Sequence, residues 1–271
     1  MLKKLAESRD RSIVFSLSVP RVIRRSMLGM LLALVAVALA HAADRDCIPD
    51  ASLPPPEIGQ PRNIDDLKSQ LIYYKCSGAY DRQFSKIIDQ AISHVLNRAK
   101  DGGHLAIVLD IDETSLSNWE EMKANDFGLI KDGPCNVAKS DVSGSVPNAP
   151  CGFGAWVLLA KGKPLDTLRL FKIARANNVA VFFITGRKDD EKHKVQEATV
   201  ENLRKAGYTD WAGLKFFDDK STIQEFKTAK RNEIEESGYK IIANVGDQYS
   251  DLRGGHAERI FKVPNPFYFV R

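Results

Sequence analysis

Cysteine and histidine are scarce in the 271-residue sequence, and neither is spaced for a zinc-binding module. The chain has 4 cysteines and 5 histidines, and no two cysteines stand in the C-x-x-C arrangement of many structural zinc sites. His94 and His256 belong to no ligand pattern, so we expect them to be structural or exposed. These absences argue against a zinc site.

A segment long enough to span a membrane is missing as well. The main apolar run, residues 27–40, is shorter than the roughly 18–20 residues that a membrane-spanning helix needs. A basic patch with Arg21 and Arg25 precedes the run, and Ala40-His41-Ala42 has the small–x–small pattern of a cleavage site. We therefore predict a signal peptide over 1–42, a periplasmic or secreted protein, and no stable membrane anchor after cleavage.

Excess positive charge is absent beyond the predicted signal peptide. The formal net charge of +4 arises within residues 1–42, and the remainder is close to neutral. Nucleic-acid binding, which a basic surface indicates, therefore loses its support. The remainder is long enough for one domain with a sizeable core, which we place at 63–271 after a proline-rich tether at 43–62. The oligomeric state stays open.

The cysteines predict disulfides, because an even number follows the signal peptide of an exported chain. They are Cys47, Cys76, Cys135 and Cys151, which allow three pairings. Cys135 and Cys151 flank a stretch rich in glycine, proline and serine with little apolar material, so we favour that pair and leave Cys47 with Cys76. Four reduced thiols are the alternative.

Hydrophobic periodicity predicts strands that alternate with helices. Helical spacing over 80–96 indicates an amphipathic helix, whereas Leu105–Leu109 is a continuous apolar run typical of a strand buried on both faces. Further strands are predicted at 179–184, 214–217 and 240–245, with helices starting near Pro164, Val195 and Thr222. This order predicts an α/β fold, a Rossmann-like parallel sheet with helices on both faces, that binds ligands beyond the carboxyl ends of its strands. The long interval after the first strand predicts a small, mainly helical cap within 119–162.

Two carboxylates follow the first predicted strand. Asp110 and Asp112 are two apart on an extended segment, so both point to one face. One can attack a phosphorus atom while the other transfers protons to the leaving alcohol and from water. Such a site needs a cation, and Mg²⁺ suits carboxylates and phosphate oxygens. Asp247 and Asp251, after a later strand, add acidic groups around the metal.

Phosphate-binding groups follow the other strands. Thr185 offers a hydroxyl at the end of the 179–184 strand, with backbone N–H groups such as that of Gly186 beside it. Lys227 supplies positive charge, with Lys230 as the alternative. Together with the carboxylates, these groups are what phosphoryl transfer requires.

The runs VLDIDETSLSN and VFFITGR, then Lys227 and NVGDQYSDL, resemble in order the four motifs of the haloacid dehalogenase (HAD) superfamily. FKTAKR and GYKIIANVGDQYSDL are similar to its subfamily IIIB acid phosphatase branch, which holds plant acid phosphatases and bacterial class B and class C enzymes. The resemblance favours Lys227 over Lys230, since a lysine four residues before an arginine, here Arg231, is the family pattern. The resemblance implies that Asp110 is the nucleophile and that Asp112 is the acid/base and also a backbone-carbonyl ligand of Mg²⁺. It implies that Thr185 and Lys227 bind phosphate. It also implies that Asp247 is a metal ligand, supported by Asp251.

The resulting prediction is an Mg²⁺-dependent acid phosphatase that hydrolyses phosphomonoesters, such as a nucleotide or an aryl phosphate, through an aspartyl-phosphate. The run DIDETS does not match a calcium-binding EF-hand loop, because Ser115 stands at the position where that loop needs glycine. The alternatives are a phosphotransferase that uses alcohol acceptors and a non-catalytic storage or binding relative. Trp119, Phe127 and Trp156 either stack on an aromatic leaving group or form the core of the cap.

Overall fold

The computed structural model describes residues 59–130, 152–188 and 194–270. The predicted signal peptide, most of the predicted tether and the central part of the predicted cap lie outside these residues. Cys76 is disulfide-bonded. Cys47, Cys135 and Cys151 fall outside the described residues, so the pairings stay predictions. Among the described helices, none has the length and apolar character needed to cross a membrane.

A five-stranded, entirely parallel sheet forms the centre of the fold. In chain order the described strands are β1 (Leu105–Leu109), β2 (Leu116–Ser117), β3 (Lys163–Pro164), β4 (Ala180–Lys188), β5 (Gly213–Phe217), β6 (Lys240–Gly246) and β7 (Ile260–Lys262). The large sheet has the order β5-β4-β1-β6-β7, while β2 and β3 form a separate antiparallel pair. This arrangement confirms the predicted fold class.

Helices cover both faces of the sheet. In chain order they are α1 (Ile64–Cys76), α2 (Ala79–Ala99), α3 (Trp119–Ala124), α4 (Phe153–Leu158), α5 (Thr167–Ala176), α6 (Lys194–Lys205), α7 (Ile223–Glu236) and α8 (Tyr249–Leu252). Successive side chains of a strand point to opposite faces, so β1 contributes to two cores. Ile107 packs in the core that includes α2 and α5, and Val108 packs with Phe226 and Ile234 of α7. The continuous apolar run of β1 is therefore buried on both sides.

Two predicted boundaries are wrong. Pro164 lies in β3, where it pairs with Leu116, and α5 begins only at Thr167. Proline lacks the N–H of a central strand but is tolerated in a short edge strand such as this one. Strand β4 does not stop before Thr185 but continues to Lys188, because its pairing with β5 resumes at Lys188 after an irregularity.

The start of α7 is set by its sequence. The Thr222 hydroxyl accepts the backbone N–H of Glu225, and the Glu225 carboxylate accepts the N–H of Thr222. This reciprocal capping box satisfies backbone donors that the first helical turn leaves unpaired. It fixes the register of α7 and therefore which face carries Lys227.

Candidate active site

The carboxyl ends of β1 and β6 bring two acidic segments together. Asp110 follows β1 directly, and Asp247 follows β6 directly. The two strands are neighbours, and the backbone N–H of Asp110 donates to the carbonyl of Val245 at 3.0 Å. Because parallel strands end at one edge of the sheet, residues far apart in sequence meet there.

Lys227 joins two carboxylates at this edge. Its Nζ lies 2.5 Å from Oδ1 of Asp110 and 2.6 Å from Oδ1 of Asp251, and all three side chains are buried. Burial lowers the pKa of Lys227, but the charges of Asp110 and Asp251 outweigh that effect and leave the pKa above its ordinary value. Burial raises the pKa of Asp110, with Lys227 opposing. Lys227 therefore stays protonated beside the predicted nucleophile.

Three of the predicted metal residues form one cluster. Carboxylate oxygens of Asp110, Asp247 and Asp251 lie within 4.8 Å of one another, and all three residues are buried. Burial, and then the charge of Asp251, raises the pKa of Asp247 to about 6. Lys227 balances only part of this negative charge. A hard divalent cation with oxygen ligands fits the donor set. The Asp112 carboxylate is not part of the cluster.

Other side chains hold Asp247 in place. Its Oδ1 accepts a hydrogen bond from the Thr114 hydroxyl at 3.0 Å. Its Oδ2 accepts from Nε2 of Gln248 at 2.6 Å and from Nδ2 of Asn265 at 2.7 Å. Outer-shell hydrogen bonds of this kind orient a ligating carboxylate.

Gly246 makes room for Asp251. A Cβ atom at position 246 would lie 2.4 Å from Cβ of Asp251, closer than real atoms approach. Any other residue there would displace Asp251 from Lys227 and from the acidic cluster. The glycine in NVGD is therefore required by close packing.

Asp112 faces Arg187. The Arg187 guanidinium donates to Oδ1 at 2.7 Å and to Oδ2 at 3.0 Å, while Asn118 donates to Oδ1 at 2.9 Å. Burial raises the pKa of Asp112, but the charge and hydrogen bonds of Arg187 outweigh it, and the pKa lies below its ordinary value. The free site therefore holds Asp112 as a carboxylate.

The predicted phosphate-binding residues occupy different positions. The Thr185 side chain is fully buried, and its Oγ1 accepts the backbone N–H of Arg187 at 3.0 Å. Gly186 lines the cavity above the carboxylates, as does Lys227. Lys230 instead pairs with Glu233 at 2.5 Å on the surface side of α7. The structure thus places Lys227, rather than Lys230, next to Asp110.

A cavity of about 630 Å³ opens above Asp110 and Asp112. Its wall is mainly apolar and is built from described residues of the predicted cap, from α6 and α7, and from the C-terminal segment after β7. Phe127 lines it. Trp119 instead packs against Phe267 at 5.1 Å between ring centroids, and Trp156 donates from its indole to Asn118 at 2.8 Å. Of the three predicted cap aromatics, the tryptophans serve packing.

Comparison with known proteins then decides the family. The model of the HAD superfamily, subfamily IIIB (acid phosphatase), matches residues 62–271. The chain belongs to this family. It is thus a HAD acid phosphatase, a class of enzyme that hydrolyses phosphomonoesters.

Similar proteins come from plants and bacteria. Acid phosphatase 1 of Solanum lycopersicum is 32% identical over 203 residues, covering 73% of this chain and 72% of that protein. Vegetative storage protein 1 of Arabidopsis thaliana is 32% identical over 131 residues, or 47% of each chain. The class C acid phosphatase of Bacillus anthracis, solved with tungstate bound, has a TM-score of 0.53 at 21% identity and covers 74% of this chain and 86% of that one. The structural likeness shows a shared fold.

Several residues of this HAD acid phosphatase site were not assigned a role from sequence. Arg187 stands two positions after Thr185, and the period of two along a strand predicts that they share a face. Asn118 lies within the quoted DIDETSLSN run. No sequence pattern identifies Asn265 or Tyr268, because their contacts depend on where the chain runs after β7.

Glu113 links the first motif to that C-terminal segment. The hydroxyl of Tyr268 donates to Oε2 of Glu113 at 2.9 Å, and the backbone N–H and side-chain amide of Asn118 donate as well. Burial raises the pKa of Glu113 to about 8, with the Asp112 charge adding to the effect. Residue 113 also has a φ of 51°, in the left-handed region. Such backbone geometry is often found at active sites.

Proposed function

We propose that this HAD acid phosphatase is an exported, Mg²⁺-dependent phosphomonoesterase in which Asp110 is the nucleophile. One observation carries the proposal: Asp110 is buried at the edge of the sheet, contacts Lys227, adjoins Asp247 and Asp251, and still lines an open cavity. A carboxylate with an adjacent cation and a substrate-sized space suits in-line attack on a phosphate ester.

The reaction would proceed in two steps. A carboxylate oxygen of Asp110 forms a bond to phosphorus while the bond to the leaving oxygen breaks, and Asp112 donates a proton to that oxygen. Asp112 then takes a proton from water, which attacks phosphorus, releases inorganic phosphate and regenerates Asp110. Lys227 and the backbone N–H groups near Gly186 balance the charge on the phosphate oxygens.

The proposed metal ligands are Asp110, Asp247 and the backbone carbonyl of Asp112, with Asp251 in support. When bound, Mg²⁺ supplies positive charge that lets an anionic nucleophile approach an anionic phosphate. Because the cluster is buried and already crowded with negative charge, its folded geometry should become more stable when a divalent cation binds.

Proton donation by Asp112 requires a change in its ionisation. Arg187 favours the carboxylate in the free site. A phosphate dianion bound next to Asp112 adds negative charge and raises its pKa, and lower pH acts in the same direction. An acid optimum is therefore the expectation.

The non-catalytic alternative is weaker for this chain. A storage protein that has lost its activity has no need to keep the nucleophile and its cation, whereas Asp110 and Lys227 are both present and in contact. Transfer to alcohol acceptors uses the same first step, and product analysis with added alcohol separates it from hydrolysis. Export rests on the sequence pattern of 1–42 alone, and detection of a shortened mature chain outside the cytoplasm would test it.

The decisive experiment replaces Asp110 with asparagine. We expect Asp110→Asn to lower kcat for an aryl phosphate by at least about a thousandfold, as removal of a catalytic nucleophile generally does. Asp210→Asn, an exposed aspartate, is the matched control and should behave as wild type. Chelation should abolish activity, and added Mg²⁺ should restore it. Retention of more than a tenth of the activity in Asp110→Asn would contradict the proposed role.

A further inference from the structure

One carboxylate in the cavity wall has no part in the proposed chemistry. Glu121 lies on α3 and is only 7% exposed, yet it lines the cavity. It differs from Glu113, whose carboxylate accepts hydrogen bonds from Asn118 and Tyr268. Glu121 receives a side-chain hydrogen bond on Oε1 from Asn125, one turn later on the helix. Within the described parts of the chain, no donor contacts its Oε2.

The cavity wall to which Glu121 belongs is largely apolar. Its apolar side chains include Met122, Phe127, Phe153, Val157, Phe267 and Phe269. A carboxylate on such a wall loses hydration that the protein does not replace. Burial accordingly raises the pKa of Glu121 to about 7, with the Asn125 hydrogen bond opposing it. A ligand that brings its own positive charge would offset this loss.

No cation of the cavity is available to Glu121 from the described residues. The lining contains three basic side chains, and each is paired with another carboxylate. Arg187 binds Asp112 and Lys227 binds Asp110, while Lys188 pairs with Asp219 at 2.5 Å. Among the described residues, none of these cations is paired with Glu121, so an ammonium group on a bound ligand can supply its counter-charge.

We propose that Glu121 and the apolar wall bind the leaving group of the substrate, and that this group combines an apolar or aromatic body with an ammonium group. The inference rests on the proposed function, since it concerns the alcohol released in that reaction. The aromatic and aliphatic side chains contact the body of the leaving group. The Glu121 carboxylate accepts a charge-assisted hydrogen bond from its ammonium.

The test compares two esters of similar size: the phosphate of 4-(aminomethyl)phenol, which carries an ammonium, and the phosphate of 4-(hydroxymethyl)phenol, which is neutral. The measured quantity is the ratio of their kcat/KM values in wild type and in Glu121→Gln, at about pH 8, where Glu121 with its pKa of about 7 is ionised. Intrinsic differences between the esters cancel when the two ratios are compared. We expect the ratio to fall about tenfold in Glu121→Gln, because a hydrogen bond to a charged group is typically worth at least that factor.

The control is Glu120→Gln, which removes a charge from the neighbouring residue of the same helix and should leave the ratio unchanged. Inhibition of the wild type by the two free phenols gives a second measurement that needs no variant. The ammonium phenol should bind about tenfold more tightly.

Equal inhibition by the two phenols, or an unchanged ratio in Glu121→Gln, would show that Glu121 is only a buried group held by Asn125 and would overturn the inference. Failure of the wild type to hydrolyse either ester would instead contradict the proposed function. The two failures are therefore distinguishable.

Discussion

Replacing Arg187 with methionine tests how firmly the site holds Asp112. The guanidinium donates to both oxygens of Asp112 and, through Nη1, to the Thr199 hydroxyl at 3.0 Å. Methionine retains an unbranched apolar side chain but removes the charge and every one of these donors. Asp112 then keeps the Asn118 amide, at 2.9 Å, as its hydrogen-bond donor.

The size of the effect follows from burial. The side chain of Arg187 is 2% exposed and that of Asp112 is 17% exposed, so water replaces little of the lost interaction. Removing one partner of a buried ion pair typically costs about 3–5 kcal/mol. Because Asn118 still stabilises the carboxylate, we expect Arg187→Met to lower the free energy of unfolding by about 3 kcal/mol at pH 7, near the low end of that range. That is a large part of the roughly 5–15 kcal/mol typical of a domain.

The loss of stability in Arg187→Met should depend on pH. In the wild type the folded pKa of Asp112 is depressed, so its ionised form contributes stability above the unfolded pKa of about 4 and loses it as pH falls through the folded value. In Arg187→Met, burial without the guanidinium raises the pKa, and protonation relieves the unpaired charge. The deficit relative to wild type should therefore shrink between pH 7 and pH 5.

Urea unfolding with EDTA at both pH values measures this difference without a metal contribution. Asp112→Asn and the double variant complete a mutant cycle, and we expect a coupling of at least about 2 kcal/mol at pH 7, within the range for residues in contact. A deficit below about 1 kcal/mol at pH 7, a deficit that does not change with pH, or additive effects in the cycle would each refute the reasoning.

Two further predictions concern metal binding and helix capping. Asn265→Ala removes a hydrogen-bond donor to Asp247 and should weaken Mg²⁺ binding about 10- to 100-fold in a thermal-shift titration. Asn177→Ala, on the surface, is the control. An apparent Kd of Asn265→Ala within twofold of wild type would exclude a positioning role for Asn265. Thr222→Ala removes the N-terminal cap of α7 and should lower the free energy of unfolding, measured by urea denaturation, by about 1 kcal/mol. Ser221→Ala is the control and should not lower it. Equal stability of wild type and both variants would contradict the capping argument.

Prediction from sequence was accurate where structure is local. The run Leu105–Leu109 is a strand with the predicted ends, and a helix begins next to Thr222 as predicted. The errors at Pro164 and at the end of β4 lie where pairing with another segment decides the boundary. The hydrophobic periodicity of a segment depends on that segment alone and does not show which other segment pairs with it.

The sequence by itself determined the order of alternating strands and helices and the placement of Asp110 and Asp247 directly after strands, because periodicity and capping act over a few residues. Only the tertiary structure decided that Arg187 contacts Asp112 across 75 positions and that Lys227, which the family resemblance had favoured over Lys230, lies in direct contact with Asp110. Those contacts depend on the strand order β5-β4-β1-β6-β7 and on the packing of α7 against the sheet. The apolar cavity is likewise a product of packing, since the segments that line it come from the whole length of the domain.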